Sequence, residues 1–168
     1  MTKAYHIKTA ALALLIGFGA ASTSFADSNR VSISQFGRDH SVGASQGGRY
    51  NRLNVYQRGN SNLSIHTQDG RRNSVSVEQS GRMNDAVTGQ VGRNNRSVTG
   101  QSGRYNNSVT TQSGRCNIAG VAQFGRNHTA DVDQSGNCNA VGVIQTGNGN
   151  HATSRQTGRG NVSVIVQD

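Results

Sequence analysis

Apolar and polar residues alternate along this chain in short stretches that recur every eleven residues. Each stretch reads Asn-x-[small or apolar]-x-[apolar or Thr]-x-Gln. The two positions that share the parity of Asn and Gln hold Ala, Val, Ile or Leu in 17 of 26 cases, against 12 of 39 at the three intervening positions. Because alternation with a period of two is typical of half-buried strands, we expect Asn, Gln and the two positions between them to face inward.

Glutamine marks the repeat most strictly, since its spacing of eleven never slips. The thirteen glutamines are Gln35, Gln46, Gln57, Gln68, Gln79, Gln90, Gln101, Gln112, Gln123, Gln134, Gln145, Gln156 and Gln167. Each except the last is followed two residues later by Gly, and Gly tolerates the backbone angles of tight turns. Self-similarity at a fixed period is the signature of a repeat architecture, with one strand and one turn in each unit here.

Two such units form a 22-residue rung of strand, turn, strand and turn. We therefore predict an all-β fold, a β-solenoid of about 6.5 rungs with two facing parallel sheets, roughly 30 Å long at the ~4.8 Å strand spacing. Stacked inward amides can bond along the axis and so avoid the cost of burying a polar group alone. The predicted assembly ladders consist of the thirteen glutamines together with Asn51, Asn73, Asn95, Asn117, Asn139 and Asn161.

The fourth unit fits this pattern least well. Leu63 and Ile65 have outward parity, whereas Ser64 and His66 have inward parity. Outward valines also occur in other units, at Val87, Val98 and Val109. We keep the register because the glutamine spacing is unbroken, and we expect these units to be frayed or solvent-exposed.

The first 26 residues differ from the repeats. Two lysines precede an almost wholly apolar run over residues 9–21, and small residues end the segment at Ala26. This layout is typical of a secretory signal peptide, and the run is too short to span a membrane. We expect cleavage after Ala26 and export of a single repeat domain over residues 27–168.

The whole sequence has a formal net charge of +9, and arginine is the most frequent charged residue in the chain that we expect to be exported. Nine arginines share the position just after the turn glycine: Arg38, Arg49, Arg71, Arg82, Arg93, Arg104, Arg115, Arg126 and Arg159. Because alternate units lie on opposite sides, they predict two basic ridges along the turn edges. Such ridges would attract anionic polymers such as extracellular DNA or polysaccharide without reading sequence. Solubility and control of fibre bundling are the alternative role.

The unit from Gln145 to Gln156, Gln-x-Gly-x-x-Asn-x-Ala-x-x-x-Gln, resembles the curlin repeat of curli fibre subunits. The resemblance extends from Asn29 to Gln167. It implies a bacterial, secreted amyloid subunit that passes the periplasm and an outer-membrane export channel, polymerises with itself and a second curli subunit, and supports biofilm and adhesion. Two departures, Asn at nearly every strand start and only Asp27 and Ser28 before the first unit, leave the major or nucleating role open.

The two ends of such a solenoid expose strands with unpaired backbone groups. No Pro blocks a strand edge, and we expect no segment outside the repeat to act as a cap, so both ends are predicted to template another subunit. The alternative is a monomeric secreted solenoid that binds an anionic polymer or another ligand. Ice binding would favour an outward ladder of Thr, and no such ladder runs through the units.

Two cysteines, Cys116 and Cys138, lie 22 residues apart at equivalent turn positions. One full rung separates them, so they are predicted to stack on one edge, within the Cα range of a disulfide. Export through an oxidising compartment favours the bond, and a reduced pair is the alternative.

No catalytic, cofactor or metal site is predicted. His40 and His128 replace Asn four rungs apart, too far to share an ion, and the residues suggest no catalytic triad. The turns offer Arg where calcium-binding solenoids need Asp. Four aspartates interrupt neutral segments as candidate gatekeepers against aggregation or simple solubilising groups: Asp69, Asp85, Asp131 and Asp133.

Overall fold

The computed structural model describes residues 28–168, which form thirteen β-strands and no helix. The predicted signal peptide, residues 1–26, lies outside the described residues. Within the described chain no helix is long and apolar enough to cross a membrane. The strands are β1 Arg30–Arg38, β2 Ser41–Gln46, β3 Arg52–Asn60, β4 Leu63–Arg71, β5 Ser74–Arg82, β6 Asp85–Arg93, β7 Arg96–Arg104, β8 Asn107–Arg115, β9 Ile118–Arg126, β10 Thr129–Asn137, β11 Ala140–Asn148, β12 His151–Arg159 and β13 Val162–Gln167.

The strands wind into a β-solenoid with two parallel sheets. Odd-numbered strands form a seven-stranded sheet and even-numbered strands a six-stranded sheet. Each strand pairs in parallel with the strand two places further along, so that Gln35 lies beside Gln57 and every pair is offset by 22 residues. The predicted all-β solenoid is confirmed, with a rung of two strands and two turns.

Burial alternates along β3 to β12 as the period of two requires, whereas β1 is exposed throughout, including the inward Val31 and Ile33. In β3, Leu53, Val55 and Gln57 are buried while the intervening residues are exposed. β4 keeps the same register although its apolar residues point outward: Ser64 and His66 are buried. Of the two expectations for this unit, fraying is wrong, because β4 pairs with β6 over nine residues, and solvent exposure is confirmed for Ile65, which is 39% exposed.

The turns depend on contacts between rungs. Gly81 has a φ of 115°, and a Cβ atom there would collide with the carbonyl oxygen of Gly103 in the next rung. Two residues after each such glycine another left-handed residue follows, such as Cys116 with a φ of 52°. Its N–H donates to the carbonyl of Arg93 in the preceding rung at 3.0 Å. Stacking therefore stabilises a backbone conformation that non-glycine residues rarely adopt.

The apolar interior is divided into two clusters. One comprises Leu53, Val55, Val75, Val77 and Ala86 in β3, β5 and β6. The second occupies β9 to β12 and contains Ala119, Val121, Ala130, Val132, Val141, Val143 and Ala152. Between them, buried Ser and Thr fill β7 and β8.

Candidate assembly site: amide ladders and arginine ridges

Two unbroken glutamine ladders run along the interior, one in each sheet. The ladder of the seven-stranded sheet runs from Gln35 to Gln167, and that of the six-stranded sheet from Gln46 to Gln156. At every step the side-chain Nε2 donates to the Oε1 of the glutamine 22 residues later, at 2.6–2.9 Å. The structure thus brings all thirteen predicted glutamines into two columns.

From Gln46 to Gln167, each glutamine Nε2 also donates to a backbone carbonyl of the other sheet, 16 residues earlier. Gln79 Nε2 donates to the backbone carbonyls of Leu63 at 2.9 Å and Asn84 at 2.8 Å. Its Oε1 accepts from Gln57 at 2.7 Å. The interior amides are therefore fully partnered although they are buried, which removes the desolvation penalty that an unpaired amide would carry.

Asparagine forms a second kind of ladder at the turns. The backbone N–H of Asn73 donates to Asn51 Oδ1 at 2.9 Å, and Asn73 Nδ2 donates to the turn carbonyls of Asp69 at 3.0 Å and Gly92 at 3.1 Å. The six predicted asparagines line one edge of the solenoid. The opposite edge has an equivalent column that the predicted set omitted: His40, Asn62, Asn84, Asn106, His128 and Asn150.

Histidine can stand in this column because its ring reproduces both functions of the asparagine amide. His128 Nδ1 accepts the backbone N–H of Asn150 at 3.2 Å, and Nε2 lies 3.2 Å from the carbonyl of Phe124. These partners require the neutral ring with the proton on Nε2. The fixed interval of five residues after glutamine is the signal that identifies both histidines as ladder members.

His66 is the least expected inward residue. It is buried between the sheets, where its Nε2 bonds with the Ser64 hydroxyl and its Nδ1 has no partner. Burial lowers the pKa of His66 to about 4 from 6.5, because charging the ring would cost solvation. Both residues are buried, Ser64 at 0% and His66 at 2% exposed, so solvent does not reach the pair.

The nine ridge arginines lie on the two turn edges. Arg38, Arg82, Arg104 and Arg126 share the first ridge, where Asn60 and Asn148 occupy the remaining places. The second ridge contains Arg49, Arg71, Arg93, Arg115 and Arg159, with Asn137 between the last two. Within residues 28–168 none of these arginines forms an ion pair.

Each ridge borders an open groove. The groove of the first ridge has a volume of about 700 Å³ and is lined by stacked glycines together with Arg82, Arg104 and Arg126. The three arginines are backbone partners in adjacent strands, which are about 4.8 Å apart. The arrangement is a linear array of cations without ion-pair partners within residues 28–168, and the electrostatic field of such an array is screened as the salt concentration rises.

Cys116 and Cys138 stack on the edge of the second ridge. They are joined as a disulfide with Cα atoms 4.5 Å apart. Across the described part of the chain, no group of three or more His, Cys, Asp or Glu residues is placed to hold a metal ion.

Comparison with known proteins identifies the repeat. The family model described as "Curlin associated repeat" matches residues 48–81, 106–136 and 129–158, which together make up more than half of the chain. Neither a curated protein nor a solved structure gives a significant match.

Proposed function

Because the chain belongs to the curlin associated repeat family of structural fibre subunits, we propose that it is a secreted, self-assembling subunit of curli-type amyloid fibres. Its fibres would support a biofilm matrix, adhesion and aggregation at a bacterial cell surface. Export would begin with removal of residues 1–26 and continue through an outer-membrane curli channel. A second curli subunit is the proposed partner in nucleation.

The observation that carries this proposal is the pair of continuous glutamine ladders. Within residues 28–168, Gln35 and Gln46 accept from no other glutamine, and Gln156 and Gln167 donate to none. One end of the described solenoid therefore presents amide acceptors and the other presents amide donors. A second copy stacked head to tail would extend both the ladders and the backbone pairing.

Growth of fibres from purified mature protein tests the proposal. We expect thioflavin-positive fibres, and we expect Gln35→Leu or Gln167→Leu to slow their growth because leucine cannot join an amide ladder. The matched outward substitutions Ser32→Leu and Val164→Leu should have smaller effects. Equal slowing at inward and outward positions would contradict the role of the ladders, and absence of fibres from the parent would refute the function.

The ridges support a further part of the proposal, nonspecific binding of anionic polymers in the matrix. Replacing Arg82, Arg104 and Arg126 with Ser should weaken binding of DNA to fibres and flatten its salt dependence, since fewer counterions are released. Fibre formation should survive. Removing an equal charge from the strand faces, with Arg30, Arg52 and Arg96 changed to Ser, is the matched control. An unchanged affinity in the ridge variant, or no binding by the parent, would exclude this role.

A further inference from the structure

The outer faces of the two sheets carry opposite charge once the ridges are set aside. The seven-stranded sheet presents mainly arginine and is named the basic face; the six-stranded sheet presents mainly aspartate and is named the acidic face. Outward charged residues of the strands are Arg30, Arg52, Arg58, Glu78 and Arg96 on the basic face, and Asp69, Asp85, Asp131, Asp133 and Arg155 on the acidic face. Asp168, just after β13, adds one carboxylate to the basic face, where it accepts from the Thr146 hydroxyl at 2.9 Å. Arg155 is already paired with Asp133 at 3.4 Å. The two faces are therefore electrostatically complementary.

Aliphatic outward side chains divide between different parts of these faces, whereas aromatic ones lie at both ends of the basic face, with Phe36 and Tyr56 on β1 and β3 and Phe124 on β9. On the basic face the aliphatic residues gather in β7 to β13: Val98, Ile118, Ala122, Ala140, Ile144, Val162, Val164 and Val166. On the acidic face they lie in β4 to β8: Leu63, Ile65, Val87 and Val109. Several are strongly exposed, such as Val162 at 76% and Ile118 at 52%. The aliphatic residues thus lie toward opposite halves of the solenoid, on the last four of the seven strands of the basic face and on the second to fourth of the six strands of the acidic face.

A shallow groove crosses the aliphatic part of the basic face. It has a volume of about 280 Å³ and lies over Gly120 and Gly142, flanked by Val98, Ala122 and Ile144. The groove exists because the central outward position is glycine in both β9 and β11, so the side chains on either side form its walls. An aliphatic side chain from another surface can enter it.

We propose that a second copy of this chain packs its acidic face on the basic face, with the two solenoid axes antiparallel. With the sheets fully overlapped, β4 of one copy lies across β9 and β11 of the other, and β6 lies between β7 and β9. Ile65 and Val87 then enter the glycine groove, and Asp85 faces Arg96. At the far end β10 crosses β3 and β5.

Charged residues at the other end of the contact, where β10 crosses β3 and β5, favour the same antiparallel orientation. In antiparallel packing Asp131 and Asp133 approach Arg52 and Arg58 of the second copy. Glu78, which lies beside Tyr56 in the register of β3 and β5, is the one acidic residue of the basic-face strands near them. In parallel packing both carboxylates would instead be pressed onto β9 and β11, around Ile118, and would lose water without gaining a partner. The antiparallel arrangement pairs aliphatic with aliphatic surface and gives three of the four aspartates of the acidic face an arginine neighbour, whereas Asp69 lies against Phe124 and Thr146.

Such an interface is heterologous, because it joins two different faces. Each added copy leaves one basic face and one acidic face open, so the contact propagates rather than closing into a ring. Side-by-side stacking of fibres with alternating polarity is the consequence. This contact is separate from the end-to-end growth of the proposed function, and each can fail without the other.

A charge exchange tests the pairing of the faces. We expect Arg52→Asp with Arg58→Asp to lower the fraction of laterally bundled fibres several-fold, measured by negative-stain electron microscopy. Adding Asp131→Arg and Asp133→Arg should restore bundling, since the two faces are again complementary. Arg104→Asp with Arg126→Asp changes net charge equally on a ridge, and we expect it to leave bundling intact; an equal loss of bundling there would assign bundling to the ridges and overturn the proposal. Bundling that persists in the first variant, or that the exchange fails to restore, overturns the proposal.

Cross-linking tests the orientation. Chains carrying Thr67→Cys are mixed with chains carrying Ala122→Cys and treated with a short bifunctional thiol reagent, while the native cysteines remain in their disulfide. Antiparallel packing places these positions together and predicts several-fold more heterodimer than Thr67→Cys mixed with Ser74→Cys, the pair that parallel packing would join. The reverse ratio, or no excess in either mixture, overturns the proposal.

Thioflavin fluorescence of the same samples separates the two ideas. Fibres that grow but give no Thr67–Ala122 cross-link overturn the lateral contact and leave the proposed function standing. Cross-linked species without fibres support the lateral contact and refute the proposed function.

Discussion

The middle of the solenoid differs from the rungs on either side in what fills its interior. The flanking rungs enclose the two apolar clusters around Val75 and Val132. The middle rungs bury Ser97, Ser108 and Thr110, whose hydroxyls have no hydrogen-bond partner. Yet β7 and β8 pair with their neighbours over the same nine residues as the flanking strands do. Amide and backbone ladders therefore maintain the rung where apolar burial is absent.

Breaking a ladder in the polar middle should have the largest effect on stability. Gln101→Leu leaves the Nε2 of Gln79 and the Oε1 of Gln123 without their partner, and we expect a loss of about 4 kcal/mol in unfolding free energy. Gln145→Leu should cost less, because leucine there packs beside the apolar cluster of β9 to β12. Guanidinium denaturation of both variants measures the difference. Equal losses would show that the two interiors respond alike.

The disulfide clamps the turn after β8 to the turn after β10, next to the second apolar cluster. Replacing Cys116 and Cys138 with Ser should lower the unfolding free energy by about 3 kcal/mol in the chain-entropy model for a loop of this size. Guanidinium denaturation checks the value. Thiol labelling of unfolded, non-reduced protein from its native host is the accompanying control, and two free thiols per chain would contradict the bridge.

Acidification should weaken the rungs beside the first apolar cluster. The folded pKa of His66 is about 4, below the ordinary value of 6.5, so the unfolded chain binds the proton first as pH falls. Stability from this group is fully present above pH 6.5 and is lost as pH falls to about 4, by about 3 kcal/mol in total. His66→Thr should remove this dependence, measured as denaturation midpoints at several pH values, whereas His151→Thr on the outer surface should not.

Filling the polar middle with methyl groups should have the smallest effect and the opposite sign. Thr88 and Thr110 are adjacent in the six-stranded sheet, and both hydroxyls are buried without a partner. Thr88→Val and Thr110→Val should each raise the unfolding free energy by about 1 kcal/mol, because an unpaired hydroxyl is exchanged for a group of the same shape. Amide hydrogen exchange in β6 and β8 would report the gain locally. Faster exchange in either variant would indicate a role for the hydroxyls that the structure does not show.

Much of this architecture could be predicted from the eleven-residue period. The spacing of Gln35, Gln46 and Gln57 was enough to predict two parallel sheets with a shift of 22 residues between partners, because a strand and a turn must return to the same place for equal side chains to stack. The inward positions predicted for β4 are confirmed, although the residues at its outward positions, Leu63 and Ile65, are more hydrophobic than the buried Ser64 and His66.

Other features were not visible in the pattern. His66 is a polar misfit in the sequence, and only its position between two packed sheets explains its lowered pKa. His128 looks like an exception to the asparagine rule, yet both ring nitrogens occupy the places of amide atoms. The complementary outer faces were missed because the charges of Arg52 and Asp131 come together on separate faces only after alternate units are sorted into different sheets.

The amino-acid sequence by itself determined the repeat, the parity of each strand and the columns of identical residues, since these follow from side-chain period and spacing. Tertiary structure decided how the residue two places after the turn glycine keeps a left-handed conformation. Residues as different as Asp39 and Tyr105 adopt it there, with φ of 56° and 59°. Tertiary structure also decided where the interior is apolar and which faces are acidic or basic. The physical reason is that these properties arise between residues 22 apart or in opposite sheets, so they exist only when the rungs are stacked.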